Sequence, residues 1–152
     1  MSTAETAEQV YRLVWMSRPL MQAAEACVVQ GLSGTGLTVR MRAVLEVLAA
    51  DGDLTVPDLA RRLEIQRQYV QIMVNETTES GLTFYKPNPR HKTSALVALT
   101  DAGASVIAGV IDREKQLLSS ITAGIDGAEV RTALRVMSTL IDALKQQTGG
   151  TS

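Results

Sequence analysis

The sequence has few of the residues from which catalytic centres, metal sites and disulfide-stabilised folds are built. Its 152 residues include one cysteine, Cys27, and one histidine, His91. A single cysteine excludes an internal disulfide, and one cysteine with one histidine cannot complete a zinc site. The sequence contains no catalytic triad, glycine-rich phosphate loop or metal signature. We therefore expect neither an enzyme nor a cofactor.

Aromatic residues and long apolar runs are also scarce. Aromatics make up 3% of the chain against 45% hydrophobic residues, so the core must be mainly aliphatic. No stretch is long and apolar enough to span a membrane, and the N-terminus lacks the basic-then-apolar pattern of a signal peptide. Together with the low cysteine content, these features predict a cytoplasmic protein without a membrane partner.

The chain as a whole lacks an excess of positive charge. Its 15 Lys and Arg residues face 16 Asp and Glu residues, which gives a net charge of −1. Residues 61–92 differ, because six basic and three acidic side chains give this segment a charge of +3. Phosphate binding requires positive charge on one face only. The distribution is compatible with a DNA-binding segment and equally with an ordinary solvated surface.

One stretch, residues 55–81, has the spacing of two short helices joined by a tight turn. Thr55 is placed to cap the first helix, and Asp58 follows three residues later, close to a capping box. The second helix is predicted to begin near Arg67. A helix-turn-helix places its second helix in the major groove of DNA. Residues 67–71 are then the leading end of a recognition helix. The predicted inward-facing residues are Leu59, Ala60, Leu63, Val70, Met73 and Val74.

The pattern changes after the second of these helices. Residues 82–86 (LTFYK) and 95–99 (ALVAL) have β character, and the basic segment PNPRHKTS between them contains two prolines. A β-hairpin directly after a helix-turn-helix is the sequence pattern of a winged helix.

Amphipathic helices are predicted on both sides of this core. The first covers residues 4–30, with a kink or restart at Pro19, where Ser17 is a candidate for a new cap. The other predicted helices are 38–51, 100–120 and one that begins at Asp126. The flanking helices carry more apolar surface than a winged-helix core needs, so they should pack on each other and on a second subunit.

We therefore predict a mainly α-helical fold with a small β-hairpin wing, a winged helix-turn-helix that dimerises through its N- and C-terminal helices. The predicted domain is 1–147, with the winged helix-turn-helix at 38–100 and dimerisation helices at 4–31 and 101–147. Residues 148–152 are predicted to form a flexible tail.

The sequence resembles the MarR family of bacterial transcriptional regulators. The resemblance is carried by GLT at residues 36–38, VLEVLA at 44–49, LTVPDLARRLEI at 54–65, RQYVQIMVNE at 67–76 and LVALTDAG at 96–103. It covers residues 38–103 well and the flanking helices in pattern only. It implies a homodimer that binds double-stranded DNA at a pseudo-palindromic operator, represses transcription and releases DNA when a small aromatic ligand binds.

The sequence departs from the family pattern at the wing tip and the turn. Many members carry an aspartate and an arginine at the wing tip, where this sequence has His91, Lys92 and Thr93. Gln66 replaces the usual serine cap of the recognition helix, and Glu64 lies in a turn position that is often glycine. These departures concern DNA affinity and site preference rather than the fold.

The candidate DNA contacts follow from the helix-turn-helix and the wing. Arg pairs well with guanine and Gln with adenine, and Tyr69 suits a phosphate or a thymine methyl as well as packing against the wing. The predicted base contacts are Arg67, Gln68, Tyr69 and Gln71. The predicted contacts of the DNA backbone and the wing are Arg61, Arg62, Lys86, Arg90, His91 and Lys92.

Two further groups of residues have competing interpretations. Cys27 lies on the apolar stripe of the first helix, so a buried, inert thiol is favoured over a peroxide sensor. An aromatic and methionine cluster at helical spacing fits a hydrophobic core, and it is also the candidate effector pocket: Tyr11, Trp15, Met16 and Met21.

The altered wing tip and the net charge leave one alternative function, a winged-helix module for protein interaction or small-molecule binding with weak or no DNA binding.

Overall fold

The computed structural model describes residues 1–149, which form six helices and one two-stranded antiparallel sheet. The elements are α1 (Thr3–Gly31), α2 (Val39–Asp51), α3 (Val56–Leu63), α4 (Arg67–Glu79), β1 (Thr83–Lys86), β2 (Leu96–Leu99), α5 (Asp101–Ile121) and α6 (Gly127–Gln147). The chain divides into two compact units, Met1–Glu114 and the part from Lys115 onward. The prediction of a mainly helical winged helix-turn-helix is confirmed.

Helix α1 is one continuous helix, which corrects the predicted restart at Pro19. A reciprocal pair of hydrogen bonds between Ser2 and Glu5 caps its first turn. Ser17 does not act as a cap, because its hydroxyl donates to the Val14 carbonyl oxygen one turn earlier, at 2.5 Å. Pro19 lies inside the helix. Its missing N–H removes one bond of the ladder, and the remaining bonds are sufficient to continue the helix.

Helices α3 and α4 form the predicted helix-turn-helix. The Thr55 hydroxyl accepts a hydrogen bond from the Asp58 amide at 3.2 Å and donates to its carboxylate at 2.8 Å. This hydroxyl contact and the neighbouring Arg61 lower the pKa of Asp58, which keeps its carboxylate charged at the helix N-terminus. Glu64 ends α3 in the left-handed conformation, with φ of 55°, which explains why glycine suits this position.

The wing is the antiparallel hairpin of β1 and β2, with Thr83 opposite Leu99 and Lys86 opposite Leu96. The strands lie within one residue of the predicted segments. Leu54, which precedes α3, adds a bridge to this sheet: its N–H donates to the Val97 carbonyl at 3.2 Å, and the Val97 N–H donates back at 2.7 Å. The base of the wing is therefore bonded to the segment between α2 and α3.

Two aliphatic clusters form the core of the first unit. One joins α2, α3, α4 and β2, and it includes the fully buried Val44, Leu59 and Val97. The other joins the end of α1, α2 and the first part of α5 around Leu45 and Ile107. Beside the second cluster, Arg42 makes a bidentate ion pair with Glu114, with Nε and Nη2 at 2.7 and 2.5 Å from the two carboxylate oxygens. Apolar burial and this ion pair fix α5 on α2.

Helix α6 carries an apolar stripe that the single chain leaves uncovered. Its members follow one another at alternating intervals of four and three residues, which is the spacing of a coiled-coil seam. They are 36 to 61% exposed: Val130, Leu134, Met137, Ile141 and Leu144. Helix α1 is similarly uncovered, and no residue of α1 or α6 is buried.

Cys27 is exposed on α1 in the single chain, so the prediction of a buried thiol is wrong for the isolated subunit. Within residues 1–149, no helix combines the length and apolarity needed to cross a membrane. The predicted domain bounds stay predictions, and residues 150–152 of the predicted tail lie outside the described residues.

Candidate nucleic-acid interface

Helix α4 has one buried face and one exposed face. Val70, Met73, Val74 and Thr77 are buried against the rest of the helix-turn-helix. The opposite face starts at the N-terminus of the helix, where Arg67 and Gln68 are both exposed. Gln66 caps this end without a side-chain hydrogen bond, so the first amides of α4 receive no cap from it.

Two residues on the exposed face were not among the sequence-based candidates. Ile72 is 51% exposed, and Asn75 is also exposed. With Gln68 they form a row along the helix at spacings of four and three residues. Ile72 lies off the apolar stripe of α4, and this mismatch is the sequence signal that identifies it. An exposed aliphatic side chain between two carboxamides is suited to contact a thymine methyl group.

Tyr69 contacts α2 and not the wing. Its hydroxyl accepts a hydrogen bond from Nη1 of Arg40 at 3.4 Å, and the guanidinium carbon lies 5.9 Å from the ring centroid. Arg40 also pairs with Glu76 at 2.6 Å. The ring is still 41% exposed. Tyr69 is therefore partly accessible to a ligand such as DNA, and it lies on the flank of α4 that faces Arg40 of α2.

Gln71 lies on the other flank of α4 and connects the helix to the wing. Its Nε2 donates to the Tyr85 hydroxyl of β1 at 2.8 Å and to the Asn75 Oδ1 at 3.0 Å. Gln71 is half-buried by these contacts, whereas Gln68 is exposed. Helical periodicity could not predict this pairing, because residues 71 and 85 belong to different elements.

Three threonine hydroxyls join the same two elements at the base of the wing. Thr83 of β1 lies 2.8 Å from the buried Thr77 hydroxyl and 3.0 Å from the Thr78 hydroxyl. Thr77 also donates to the Val74 carbonyl at 2.8 Å. Thr83 and Tyr85 share a face of the strand because successive side chains alternate. That face is turned toward α4 along its length.

The predicted backbone contacts divide into two groups. Arg61, Arg62 and Lys86 pair with Asp58, Asp51 and Asp53, respectively, and the Arg62–Asp51 distance is 2.9 Å. Arg67, Arg90 and Lys92 form no ion pair with any residue of the described range 1–149. Exposed ion pairs contribute little free energy, so the first group can exchange its partners for phosphates. The charges of the second group are therefore not paired with a carboxylate in the part of the chain that the structure describes.

The wing tip is a turn held by short-range hydrogen bonds. The side-chain Oδ1 of Asn88 accepts a hydrogen bond from the Arg90 amide at 3.0 Å, and the backbone carbonyl of Asn88 accepts one from the His91 amide at 3.2 Å. Nδ1 of His91 lies 3.0 Å from the Thr93 hydroxyl. Arg90, His91 and Lys92 are all exposed. This turn therefore presents three consecutive basic or titratable side chains at the end of the hairpin.

The four residues of the predicted effector pocket lie exposed on α1. Tyr11 and Trp15 contact each other edge to face, with ring centroids 6.2 Å apart. None of the four lines the cavity found in the first unit, so their role as an effector site stays a prediction. That cavity, of about 410 Å³, lies between the end of α2, β2 and α5. Its lining is apolar except for Asp112: Leu48, Ala49, Leu99, Ala104, Ile107, Ala108 and Ile111.

Within residues 1–149, no three His, Cys, Asp or Glu side chains are grouped so that they could hold a metal ion. The class that fold and surface together define is the winged helix-turn-helix: α3 and α4, a hairpin bonded to α4 that ends in a basic tip, and an exposed face on α4.

Comparison with known proteins assigns this winged helix to a family. The model of the MarR family matches residues 35–92. The protein Rv2011c of Mycobacterium tuberculosis is 33% identical over 100 residues, which are 66% of this chain and 70% of that protein. The MarR family transcription regulator SP03579 superposes with a TM-score of 0.85 at 28% identity, covering 97% of this chain and 98% of that one. The chain belongs to the MarR family.

A more distant structure shares the fold. BpsR of Bordetella bronchiseptica, whose DNA binding is regulated by 6-hydroxynicotinic acid, superposes with a TM-score of 0.70 at 20% identity. The match covers 84% of this chain and 91% of BpsR. The predicted resemblance to the MarR family is confirmed by the family model and by the similarity to SP03579.

Proposed function

We propose that the protein is a non-enzymatic, cytoplasmic transcriptional repressor that binds a pseudo-palindromic operator as a homodimer and is released by a small aromatic ligand. One observation carries the DNA-binding part of this proposal: α4 has an exposed row of side chains, and the hairpin bonded to α4 ends in a basic tip whose Arg90 and Lys92 form no ion pair within residues 1–149. Gln68, Ile72 and Asn75 form the row, and Arg90 and Lys92 belong to the tip. The B-DNA major groove, about 12 Å wide, accepts a helix with such a face.

The homodimer is supported by the stripe on α6. Monomeric proteins rarely leave a contiguous apolar patch of this kind in water. A seam with alternating four- and three-residue spacing fits a partner helix of the same kind, and a two-fold axis supplies one from a second copy. Two copies present two α4 helices to the same side of a duplex. Half-sites are then expected about one helical turn, roughly 34 Å, apart.

The direct test is to select the duplexes that the protein binds from a pool of randomised or genomic DNA. We expect enrichment of a motif with two-fold symmetry and half-sites about 10 base pairs apart. The binding constant should fall steeply with salt, with a slope near −5 if about six phosphates are neutralised by the dimer. Failure to bind any duplex at low salt, with no enriched motif, would favour the alternative of an interaction module.

A matched pair of substitutions separates base reading from phosphate binding. Arg67→Ala should relax specificity at one position of each half-site, with a loss of about 1–3 kcal/mol on the operator and much less on random duplex. Lys92→Gln should weaken operator and random duplex by similar factors and make the salt slope shallower by about 1 per subunit. Fluorescence anisotropy on both duplexes at several salt concentrations measures these effects. Equal losses on both duplexes for Arg67→Ala would contradict its role in base reading.

The α2–β2–α5 cavity is the proposed effector site in the first unit. Its volume and largely apolar lining suit one small aromatic ring. Asp112 is its one charged lining residue, so the cavity favours a neutral or cationic aromatic ligand over an aromatic carboxylate. It lies against α5 and β2, and β2 belongs to the wing. A ligand there contacts both the DNA-binding part and the helix that leads away from it.

Benzylamine and benzoate are suitable probes of this preference. Benzylamine at about ten times its Kd should stabilise the protein by about 1.4 kcal/mol, seen as a rise in Tm, and benzoate at the same concentration should stabilise it less. Asp112→Asn should reduce the difference between the two probes. A larger rise with benzoate, or an unchanged difference in Asp112→Asn, would contradict the assignment of the cavity.

A further inference from the structure

We propose that Tyr85 of the wing is a positioning residue that makes Gln71 read DNA through its carbonyl oxygen alone. This inference deepens the proposed function, on which it rests. The side-chain amide of Gln71 has two N–H donors and one acceptor oxygen. Nε2 uses both donors within the protein, toward the Tyr85 hydroxyl at 2.8 Å and Asn75 Oδ1 at 3.0 Å. Only the side-chain oxygen of Gln71, which is an acceptor, remains available to bind a base in the major groove.

The wing fixes this orientation because Tyr85 is itself held in place. Thr83, two residues earlier on the same face of β1, is bonded to the hydroxyls of Thr77 and Thr78 at the far end of α4. The strand is therefore attached to the helix at two points, two helical turns apart. Rotation of the Gln71 amide by half a turn would place its oxygen against Asn75 Oδ1, where two acceptors repel each other.

The consequence concerns which bases Gln71 accepts. A glutamine that reads adenine bidentately donates to N7 and accepts from the N6 amino group, and this requires a free N–H. With both donors engaged, Gln71 can only accept, from the amino group of adenine or that of cytosine. Tyr85 retains its own hydroxyl proton, which can be donated to DNA. We therefore expect one position in each half-site to tolerate adenine and cytosine and to exclude guanine and thymine.

The experiment is duplex selection followed by sequencing, with the wild-type chain and four variants. For wild type, the position read by Gln71 should accept adenine and cytosine within about threefold and disfavour the other two bases by about tenfold. Tyr85→Phe frees one N–H for adenine N7, so adenine should gain about tenfold over cytosine at that position. Gln71→Glu keeps the acceptor and loses both donors, so it should retain the preference for amino-bearing bases.

Phe84→Leu is the matched control, because it changes an exposed side chain on the opposite face of β1 from Tyr85 and should leave the adenine-to-cytosine ratio unchanged. The thermal unfolding of each variant shows whether the fold is kept, and Gln71→Ala, which should abolish the preference, provides a second measurement if Tyr85→Phe unfolds. A strict adenine preference in wild type, or identical profiles for wild type, Tyr85→Phe and Gln71→Glu, would overturn the inference. If wild type enriches no motif at all, the proposed function itself fails.

Discussion

Replacing Leu134 by glutamate is expected to dissociate the proposed homodimer and to lower operator affinity by about a hundredfold or more. Leu134 belongs to the α6 stripe and, at 61%, is its most exposed member in the single chain. A carboxylate there would have to be buried in an apolar seam, at a cost of several kcal/mol per ion, and two-fold symmetry places the substitution in the seam twice. Each monomer then binds its half-site independently, so the affinity gained when both subunits bind one operator together is lost.

Thr132→Glu is the control for this prediction. It adds the same charge to the same helix, on the side away from the stripe, and should leave both dimer and operator affinity unchanged. Sedimentation velocity measures the oligomeric state, and anisotropy with one-half-site and two-half-site duplexes measures the affinity. If Leu134→Glu still sediments as a dimer and binds the operator with wild-type affinity, α6 is not the dimer interface, and the proposed arrangement of the two recognition helices is wrong.

The second large effect is on folding. Gly103→Ala should lower the free energy of unfolding by about 3 kcal/mol, because its new methyl carbon would lie 2.0 Å from the Leu82 carbonyl oxygen. That oxygen cannot move aside freely, since it accepts the Thr100 amide at 3.0 Å. Thr100 in turn donates to the Gly81 carbonyl at 2.7 Å and accepts from the Gly103 amide at 3.0 Å. The start of α5 is therefore packed directly on the entry to the wing.

Gly109→Ala, in the same helix, is the matched control for Gly103→Ala. Nothing lies within 4 Å of its added carbon, so it should stabilise the helix by roughly 0.5–1 kcal/mol. Denaturant unfolding and Tm measure both variants, and a loss of 3 kcal/mol corresponds to roughly 6–12 °C in a chain of this size. Similar stabilities for the two variants would show that Leu82 and Gly103 are not in close contact in solution.

The parts of the fold that the sequence predicted are those determined locally. Thr55 caps its helix as predicted, and Thr38 and Asp126 cap α2 and α6 in the same way, because an N-cap depends on residues within one turn. The buried faces of α2 and α4 follow the periodicity of their own segments. Errors arose where local signals conflicted, as at Pro19, where a helix-breaking residue is overridden by a long helix on both sides.

The site was predictable in outline but not in its pairings. The exposed start of α4 and the basic wing tip lie in single segments, so their residue types were sufficient to identify them. The contacts of Gln71 with Tyr85 and of Tyr69 with Arg40 join residues from different elements, which a helical period cannot predict. For the same reason the sequence did not show that aspartates already pair with Arg61, Arg62 and Lys86.

The bridge between Leu54 and Val97 has a consequence for how a ligand can control the protein. A hairpin of two four-residue strands is only marginally stable in water, but this one gains a third partner from the segment before α3 and a hydroxyl cluster from α4. The base of the wing is therefore attached to the recognition helix, and we expect the two to move together. In the proposed homodimer, a small molecule that weakens DNA binding would then act by displacing the two winged helices relative to each other, which would change their spacing along the duplex while leaving each winged helix intact.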